Sequence, residues 1–425
     1  MTRVIADLNW TLFCPADCPE LSRLTGDEFA AHYASLESEE NTMRRKTMKA
    51  RDLWTEILAS QVETGTPYIM FKDTCNAKSN QKNLGTIKSS NLCCEIVQYS
   101  DPTETAVCNL ASVALPAHVD TSGELPAIDY ARLMATTRQL VRNLNKIIDK
   151  NVYPTPECCT SNLSHRPIAI GVQGFADVLA LLGYAFDDPK SLVVNEQIFA
   201  HVYYACLDAS CDLARHFGPY QSYHGSPASR GILQFDMWGV VPAVAPLLDW
   251  TALRQRIASF GLRNSLLTAV MPTASTAQIL GNTEATDPVQ SNLYSRRTLA
   301  GNFLLRNEHL VKALGPLWDD DMESYLLRHR GSIADHPDID APTKSVFKTV
   351  WEVKQRTLVD LAAGRGPYID QAQSRSLYFA EVTDAKLSAA IFYAWNAGLK
   401  TGMYYCRTLP KANATAFTAC ESCSA

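Results

Sequence analysis

Short apolar segments that alternate with longer helical segments constrain the fold of this 425-residue chain more than any other feature of its sequence. Parallel strands need long crossover connections, which are usually helical, so this alternation favours parallel pairing. The sequence therefore predicts an α/β fold that forms part of a barrel. The predicted strands are residues 167–172, 265–270, 376–380 and 401–407, and the predicted helices are residues 129–150, 175–182, 193–216, 346–363 and 386–397.

Local signals support the helix boundaries. In the first predicted helix Leu133, Leu140 and Leu144 recur near helical spacing, and Asp129 is a candidate N-cap. The third predicted helix, residues 193–216, stops at Gly218 and Pro219. Glycine tolerates a left-handed cap and proline cannot continue a helix, so this pair predicts a stop. No repeat or low-complexity linker divides the sequence, which favours one main domain.

Composition narrows the class of function. A chain with 46% hydrophobic and 20% charged residues is typical of a globular protein with a sizeable core. The net charge of -5 and the absence of a long apolar run predict neither nucleic-acid nor membrane binding, and residues 1–10 lack the apolar core of a signal peptide. We therefore expect a small-molecule substrate and a cytoplasmic protein. Its thirteen cysteines indicate a reducing compartment, where thiols such as Cys75, Cys206 and Cys211 are buried and unbridged.

A hydroxyl-rich turn follows the second predicted strand. Met271 and Pro272 turn the chain, and Thr273, Ala274, Ser275 and Thr276 open the next helix. The first N–H groups of a helix have no helical acceptor, so together with these hydroxyls they can cradle an anion. Serine and threonine are also ordinary helix caps, and both interpretations remain open from this segment alone.

The last residues carry a second signal, the pair Cys420 and Cys423. Two thiols at this spacing can exchange a disulfide or supply half of a zinc site. Cys14 and Cys18 would have to complete a zinc site, and neither pair has the spacing of a regular zinc module, so we predict no metal site. Thiols this close to the chain end are expected to be mobile and suit an electron shuttle.

Two further clusters could carry redox chemistry. Asn91, Cys93 and Glu95 would share one face of an extended segment, which would bring an amide and a carboxylate to a thiol. The alternative is an incidental polar loop. Tyr404 and Tyr405 would point to opposite faces of a regular strand, but they can stack where the backbone departs from the pleat.

With these signals in this order, the chain resembles the large, catalytic subunit of class I ribonucleoside-diphosphate reductases of the eukaryotic and viral type. The resemblance runs from about residue 10 to the C-terminus, and so many matching segments in one order make chance similarity implausible. The segments that carry it are residues 63–68 (ETGTPY), 83–87 (NLGTI), 90–93 (SNLC), 108–112 (CNLAS), 142–146 (RNLNK), 171–174 (GVQG), 272–278 (PTASTAQ) and 398–405 (GLKTGMYY).

The resemblance implies a role for each residue of the first cluster. Cys93 would form a transient thiyl radical that removes the 3′ hydrogen of the ribonucleotide. Glu95 would accept the 3′-hydroxyl proton, and Asn91 would hydrogen-bond the sugar. Cys108 would be one thiol of the pair that is oxidised as the 2′-hydroxyl leaves.

The remaining signals acquire implied roles as well. The turn of Thr273, Ala274, Ser275 and Thr276 would hold the diphosphate of the ribonucleoside diphosphate substrate. Tyr404 and Tyr405 would end a radical path from a separate, metal-containing small subunit, so this chain itself would bind no cofactor. Cys420 and Cys423 would reduce the active-site disulfide and would then be reduced by thioredoxin or glutaredoxin.

The resemblance covers only the C-terminal part of the ten-stranded reductase barrel. We expect residues 1–410 to form this part of the barrel and residues 411–425 to form a flexible redox tail. A separate polypeptide would carry the N-terminal half, with the effector site and the partner of Cys108, as in a split large subunit. The alternatives are an inactive fragment that binds the small subunit or a full-length large subunit, and a free-standing thiol–disulfide protein.

Overall fold

The computed structural model describes residues 1–38, 43–242, 248–299 and 301–409 of the chain. Its helices are α1 Thr2–Ile5, α2 Gly26–Ser38, α3 Ala50–Thr64, α4 Lys72–Ala77, α5 Tyr130–Lys150, α6 Pro156–His165, α7 Phe175–Leu182, α8 Pro189–Phe217, α9 Gln234–Met237, α10 Trp250–Phe260, α11 Ala274–Leu280, α12 Glu308–Leu314, α13 Asp320–Arg328, α14 Ala341–Val346, α15 Gln355–Arg365 and α16 Asp384–Asn396. Its strands are β1 Asn9–Phe13, β2 Arg45–Lys49, β3 Ile69–Met70, β4 Leu110–Ala114, β5 Val119–Asp120, β6 Ala127–Ile128, β7 Ala169–Gln173, β8 Leu293–Thr298, β9 Gly301–Arg306, β10 Leu377–Phe379, β11 Thr401–Met403 and β12 Cys406–Thr408.

Parallel pairing of distant segments organises the centre of the molecule. β4 pairs in parallel with β7, and a parallel bridge joins Ile170 of β7 to Thr268. A second bridge joins Val270 to Gln373, and β10, just beyond, pairs in parallel with β12. Helices connect each of these segments to the next. The predicted α/β fold with parallel strands and helical crossovers is confirmed.

Helix α5 and helix α8 pack together behind these strands. The predicted cap of α5 is confirmed, because the Asp129 side chain accepts a hydrogen bond from Arg132 N at 2.9 Å. Helix α8 begins four residues before its predicted start. Asp188 caps it by accepting from Lys190 N at 2.8 Å, and Pro189 suits the first helical turn. It ends at Gly218, where φ is 77°, as the sequence predicts.

Three predicted elements are wrong: the strands over 265–270 and 401–407, and the helix over 346–363. Residues 265–270 do not form a regular strand. The Asp370 carboxylate accepts hydrogen bonds from Leu267 N at 2.8 Å and from Thr268 N at 2.9 Å, so these two backbone N–H groups cannot donate to a neighbouring strand. The predicted helix over 346–363 is helical only from Gln355 onwards, in α15, because α14 ends at Val346 and a non-helical break separates the two. At the break Val350 N donates to Val289 O at 2.8 Å, a partner outside the helix.

Apolar side chains from α5, α7, α8 and β7 form the main core under the parallel strands. Phe175 and Phe199 are among its largest fully buried members, and each contributes roughly 1.5–3 kcal/mol by leaving water. The expectation that Cys75, Cys206 and Cys211 are buried is confirmed. None of the helices described is both long enough and apolar enough to cross a bilayer.

Candidate active site

The segment of Asn91, Cys93 and Glu95 is a tight turn, and the expectation of an extended segment is wrong. Cys94 has a φ of 67°, which an extended backbone does not allow. The Asn91 side chain closes the turn by accepting a hydrogen bond from Ile96 N at 3.1 Å, and it also hydrogen-bonds the Glu95 carboxylate. The Asn91 amide and the Glu95 carboxylate are therefore brought together by a tight turn, and not by a shared face of an extended segment.

Ser374 attaches this turn to the parallel strands. Its hydroxyl lies 2.5 Å from Cys93 O and 3.0 Å from Glu95 Oε2, within donating distance of both. The backbone adds a further link, because Ala372 N donates to Glu95 O at 2.9 Å. Ala372 and Ser374 thus hold the backbone of the turn, and with it Cys93, in place through hydrogen bonds.

Glu95 is only 2% exposed, and its burial raises the pKa of the carboxyl group above its usual value. Hydrogen bonds from Asn91 and Ser374 oppose this shift without cancelling it. A carboxyl group with a raised pKa is better suited to accept and return a proton near neutral pH than an ordinary surface glutamate.

Tyr404 contacts the thiol directly. Its hydroxyl donates to Cys93 Sγ at 3.3 Å, and its ring lies 4.4 Å from the Tyr405 ring, centroid to centroid, with an interplanar angle of 54°. The predicted single strand over 401–407 is wrong at this point. β11 pairs antiparallel with β3 and β12 pairs in parallel with β10, so both tyrosines lie where the strand changes partners. The pleat is interrupted there, and the rings come into contact.

The hydroxyl-rich turn opens helix α11 as predicted. The first helical bond runs from Ala277 N to Thr273 O at 2.7 Å, so the N–H groups of Ala274, Ser275 and Thr276 precede the helical pattern. The Thr273 hydroxyl accepts from Ala285 N at 2.8 Å and therefore supports the turn itself. Ser275 and Thr276 are exposed, so their groups are accessible to an anion.

A hydrogen-bonded side chain connects this turn with β7 and β4, and an apolar cluster connects it with the turn of residues 91–95, the cysteine turn. Gln173, the last residue of β7, donates to Ser112 Oγ at 2.8 Å and reaches Thr276 Oγ1 at 3.5 Å. Ile96, next to Glu95, shares a buried apolar cluster with Met271, which precedes the hydroxyl turn. The structure thus holds both turns against neighbouring members of the parallel strand array.

Cys108 lies close enough to Glu95 for the two charges to interact. The residue has exposed surface, yet neighbouring atoms crowd its thiol, and this burial together with the Glu95 charge raises the pKa of Cys108 to about 11. The thiol is therefore protonated at neutral pH. The two remaining predicted thiols, Cys420 and Cys423, lie outside the described residues, as does the whole predicted tail 411–425.

Sequence reasoning missed several residues of the site. Ser374 belongs to a polar run, residues 370–376, whose composition before an apolar strand was the available signal. Gln173 and Tyr68 lie in segments that carry the family resemblance but were assigned no role. The Tyr68 ring contacts both tyrosines of the pair, with centroids 4.7 Å from Tyr404 and 4.9 Å from Tyr405.

Within the described parts of the chain, no group of three or more histidine, cysteine, aspartate or glutamate residues is arranged to hold a metal ion. The described site brings together a thiol, a buried carboxyl group and contacting phenols. These groups suit transfer of hydrogen atoms and protons.

Comparison with known proteins shows which family the chain matches. Residues 1–405 match the family model described as ribonucleotide reductase, barrel domain. The chain is 52% identical over 420 residues to the ribonucleoside-diphosphate reductase large subunit of Plasmodium falciparum, covering 98% of this chain and 52% of that protein. The corresponding large subunits of Caenorhabditis elegans and vaccinia virus are 51% and 50% identical, each over 98% of this chain and 52% and 53% of their own lengths. The chain thus spans about half the length of these curated relatives.

Proposed function

This chain belongs to the ribonucleotide reductase barrel-domain family, and we propose that it carries the site that reduces ribonucleoside diphosphates to 2′-deoxyribonucleoside diphosphates for DNA precursor synthesis. The contact of 3.3 Å between the Tyr404 hydroxyl and Cys93 Sγ carries the proposal. A phenol and a thiol held at hydrogen-bond distance can exchange a hydrogen atom without further rearrangement.

The first step starts with a radical that arrives at Tyr405 and passes to Tyr404. The Tyr404 oxygen radical takes the hydrogen atom of the Cys93 S–H bond, so an O–H bond forms as the S–H bond breaks. The resulting Cys93 thiyl radical removes the 3′ hydrogen of the sugar. Reversal of both transfers at the end of the cycle returns the hydrogen to the product and the radical to Tyr404.

Glu95 and Cys108 act on the two sugar hydroxyl groups, Glu95 as a base and Cys108 as a reducing thiol. Glu95 accepts the proton of the 3′-hydroxyl, a role that its raised pKa favours. The 2′-hydroxyl takes a proton from a thiol pair that includes Cys108 and leaves as water. The pair also supplies two electrons and a second proton, which put a hydrogen on C2′, and it becomes a disulfide. The raised pKa of Cys108 keeps its proton on sulfur until that step.

The hydroxyl-rich turn and the turn of residues 91–95 bind the substrate. The diphosphate lies against the N–H groups of Ala274, Ser275 and Thr276, where the positive end of α11 contributes about 0.3–1 kcal/mol. Asn91 hydrogen-bonds the sugar from the cysteine turn. The apolar cluster beneath both turns keeps their separation fixed.

The reaction requires partners. A metal-containing small subunit supplies the radical, and thioredoxin or glutaredoxin supplies electrons through Cys420 and Cys423. That a separate polypeptide carries the other half of the large subunit stays a prediction, as does the cytoplasmic location. Co-expression with such a half, followed by gel filtration, tests the first of these. A chain that remains monomeric in its presence contradicts the split-subunit prediction.

The function is tested by exchanging single thiols in the assembled reductase. Cys93→Ser is expected to lower turnover by about a thousandfold or more, because the serine O–H bond is too strong to give up its hydrogen to a tyrosyl radical. Cys94→Ser, one position away, is the matched control and is expected to retain turnover within about threefold. If the assembled wild-type complex binds the small subunit but reduces no substrate, the inactive-fragment alternative replaces this proposal.

A further inference from the structure

We propose that Tyr68 is a third phenol of the radical relay, which exchanges the radical with Tyr404 and Tyr405; the inference rests on the proposed function. The three rings form a closed triangle of contacts. Centroids are 4.7 Å apart for Tyr68 and Tyr404, 4.9 Å for Tyr68 and Tyr405, and 4.4 Å for Tyr404 and Tyr405. Every ring is therefore in direct contact with the other two.

The backbone builds this triangle from two segments far apart in sequence. Tyr68 immediately precedes β3, and Ile69 of β3 lies opposite Met403 of β11, the residue before Tyr404. The register thus places Tyr68 beside the tyrosine pair. This antiparallel pairing, which has a register shift between Thr401 and Met403, therefore brings the third ring next to the other two.

Gly65 allows the two segments to approach each other. Its carbonyl oxygen accepts a hydrogen bond from Cys406 N at 3.1 Å. A Cβ atom at this position would lie 3.2 Å from Cys406 O and 3.3 Å from Tyr405 Cδ1, and φ is 81°. Both the tight contact and the left-handed backbone favour glycine, so the chain is specialised for close packing against this pair.

The exchange needs no added oxidant or reductant. The Tyr404 oxygen radical takes the hydrogen atom of the Tyr68 hydroxyl, so one phenolic O–H bond forms as another breaks. Donor and acceptor are both phenols, which leaves their surroundings to decide where the radical resides. The Arg407 guanidinium lies 5.0 Å from the Tyr405 centroid. Because a hydrogen atom carries no net charge, this cation acts only weakly on which of the three phenols holds the radical.

Trapping the radical tests the inference. The assembled reductase, with its radical-bearing small subunit and a ribonucleoside diphosphate, is prepared with 3-aminotyrosine at position 68, 404 or 153. This analogue is easier to oxidise than tyrosine and holds the radical for detection by electron paramagnetic resonance. Tyr153 is the control, because its hydroxyl donates to Ile148 O at 2.7 Å, away from the triangle.

We expect an aminotyrosyl radical at position 68 in an amount within about threefold of that at position 404, since the two phenols are close in energy, and none at position 153. A radical at 404 without one at 68 overturns the inference and leaves the proposed function intact. No radical at either position overturns the proposed function, and the inference with it.

A second analogue protects the test against a failure to assemble. If the aminotyrosine variant at position 68 does not form the complex, 3-hydroxytyrosine is placed there, because it is also easier to oxidise than tyrosine and holds the radical. A hydroxytyrosyl radical at position 68 supports the inference. Its absence, when the same analogue at position 404 does hold a radical, overturns it.

Discussion

The Tyr404 hydroxyl donates a hydrogen bond to the Cys93 thiol at 3.3 Å, although 311 positions separate the two residues in the sequence. Two independent backbone features produce this contact. The change of partner between β11 and β12 takes Tyr404 out of the pleat, and the tight turn at Cys94 presents the thiol. The contact defines the point at which a radical would enter the chemistry.

Replacing Tyr404 by phenylalanine removes the hydroxyl and keeps the ring. We expect turnover of the assembled reductase to fall by about a thousandfold or more, because the hydroxyl that lies at hydrogen-bond distance from Cys93 Sγ is lost. The free energy of unfolding should change by only about 0.5–1.5 kcal/mol, the usual contribution of one hydrogen bond. Tyr153→Phe, which loses the bond to Ile148 O and the bond from Asn162 Nδ2, is the control and should leave turnover unchanged. Turnover near the wild-type level in Tyr404→Phe would refute the relay.

The raised pKa of Glu95 makes stability depend on pH in a defined direction. The folded protein binds this proton more tightly than the unfolded chain, whose glutamate pKa is about 4.3. Stability therefore falls as pH rises from the unfolded value through the raised folded value. Glu95→Gln removes this penalty, so the variant should gain stability relative to wild type between pH 4 and pH 8. In urea denaturation, the variant's free energy of unfolding minus that of wild type should be larger at pH 8 than at pH 4.

Glu323 supplies a control of opposite sign. Its hydrogen bond with Arg306 lowers the pKa of the carboxyl group, so the charged form stabilises the folded state above the unfolded pKa. Glu323→Gln should therefore be more destabilising at pH 8 than at pH 4. If both variants show the same pH trend, the assignment of the Glu95 shift to burial is wrong.

Ser374→Ala removes the hydroxyl that lies between Cys93 O and Glu95 Oε2. The expected destabilisation is about 1–3 kcal/mol, because buried acceptors lose their donor. Ser374 also lowers the pKa of Glu95, so its loss should raise that pKa further and move the acidic limb of the pH–rate profile to higher pH. Ser376→Ala, on the same segment, is the control, and a profile unchanged by Ser374→Ala would argue against Glu95 as the base.

Gly171→Ala tests the packing of the strand array. The new Cβ would lie 2.5 Å from Ala269 O and 2.7 Å from Met271 Sδ, so the segment that leads to the hydroxyl turn must move. We expect a loss of about 1–3 kcal/mol in the free energy of unfolding, measured by thermal denaturation. Gly123→Ala, where the nearest atom is Leu125 O at 3.7 Å, should change stability by less than about 0.5 kcal/mol. Equal effects at the two sites would contradict the close approach.

The sequence by itself determined the α/β class, the capped helix α5, the stop of α8 at Gly218 and the family of the chain. These features rest on local properties: apolar periodicity, a capping side chain, a glycine conformation and short motifs whose order can be read directly. Local chemistry also indicated that the hydroxyl turn opens a helix. Each of these features could be predicted from the sequence because it depends on residues that are only a few positions apart.

Only the tertiary structure decided how the site is assembled. Asp370 takes the backbone donors of residues 267 and 268 and so replaces a predicted strand, and a change of strand partner turns Tyr404 towards Cys93. Ser374 and Tyr68 join the site from segments that no local pattern connects to it. The physical reason is that hydrogen-bond partners far apart in sequence compete with local backbone preferences, and their positions are set only when the parallel strands come together.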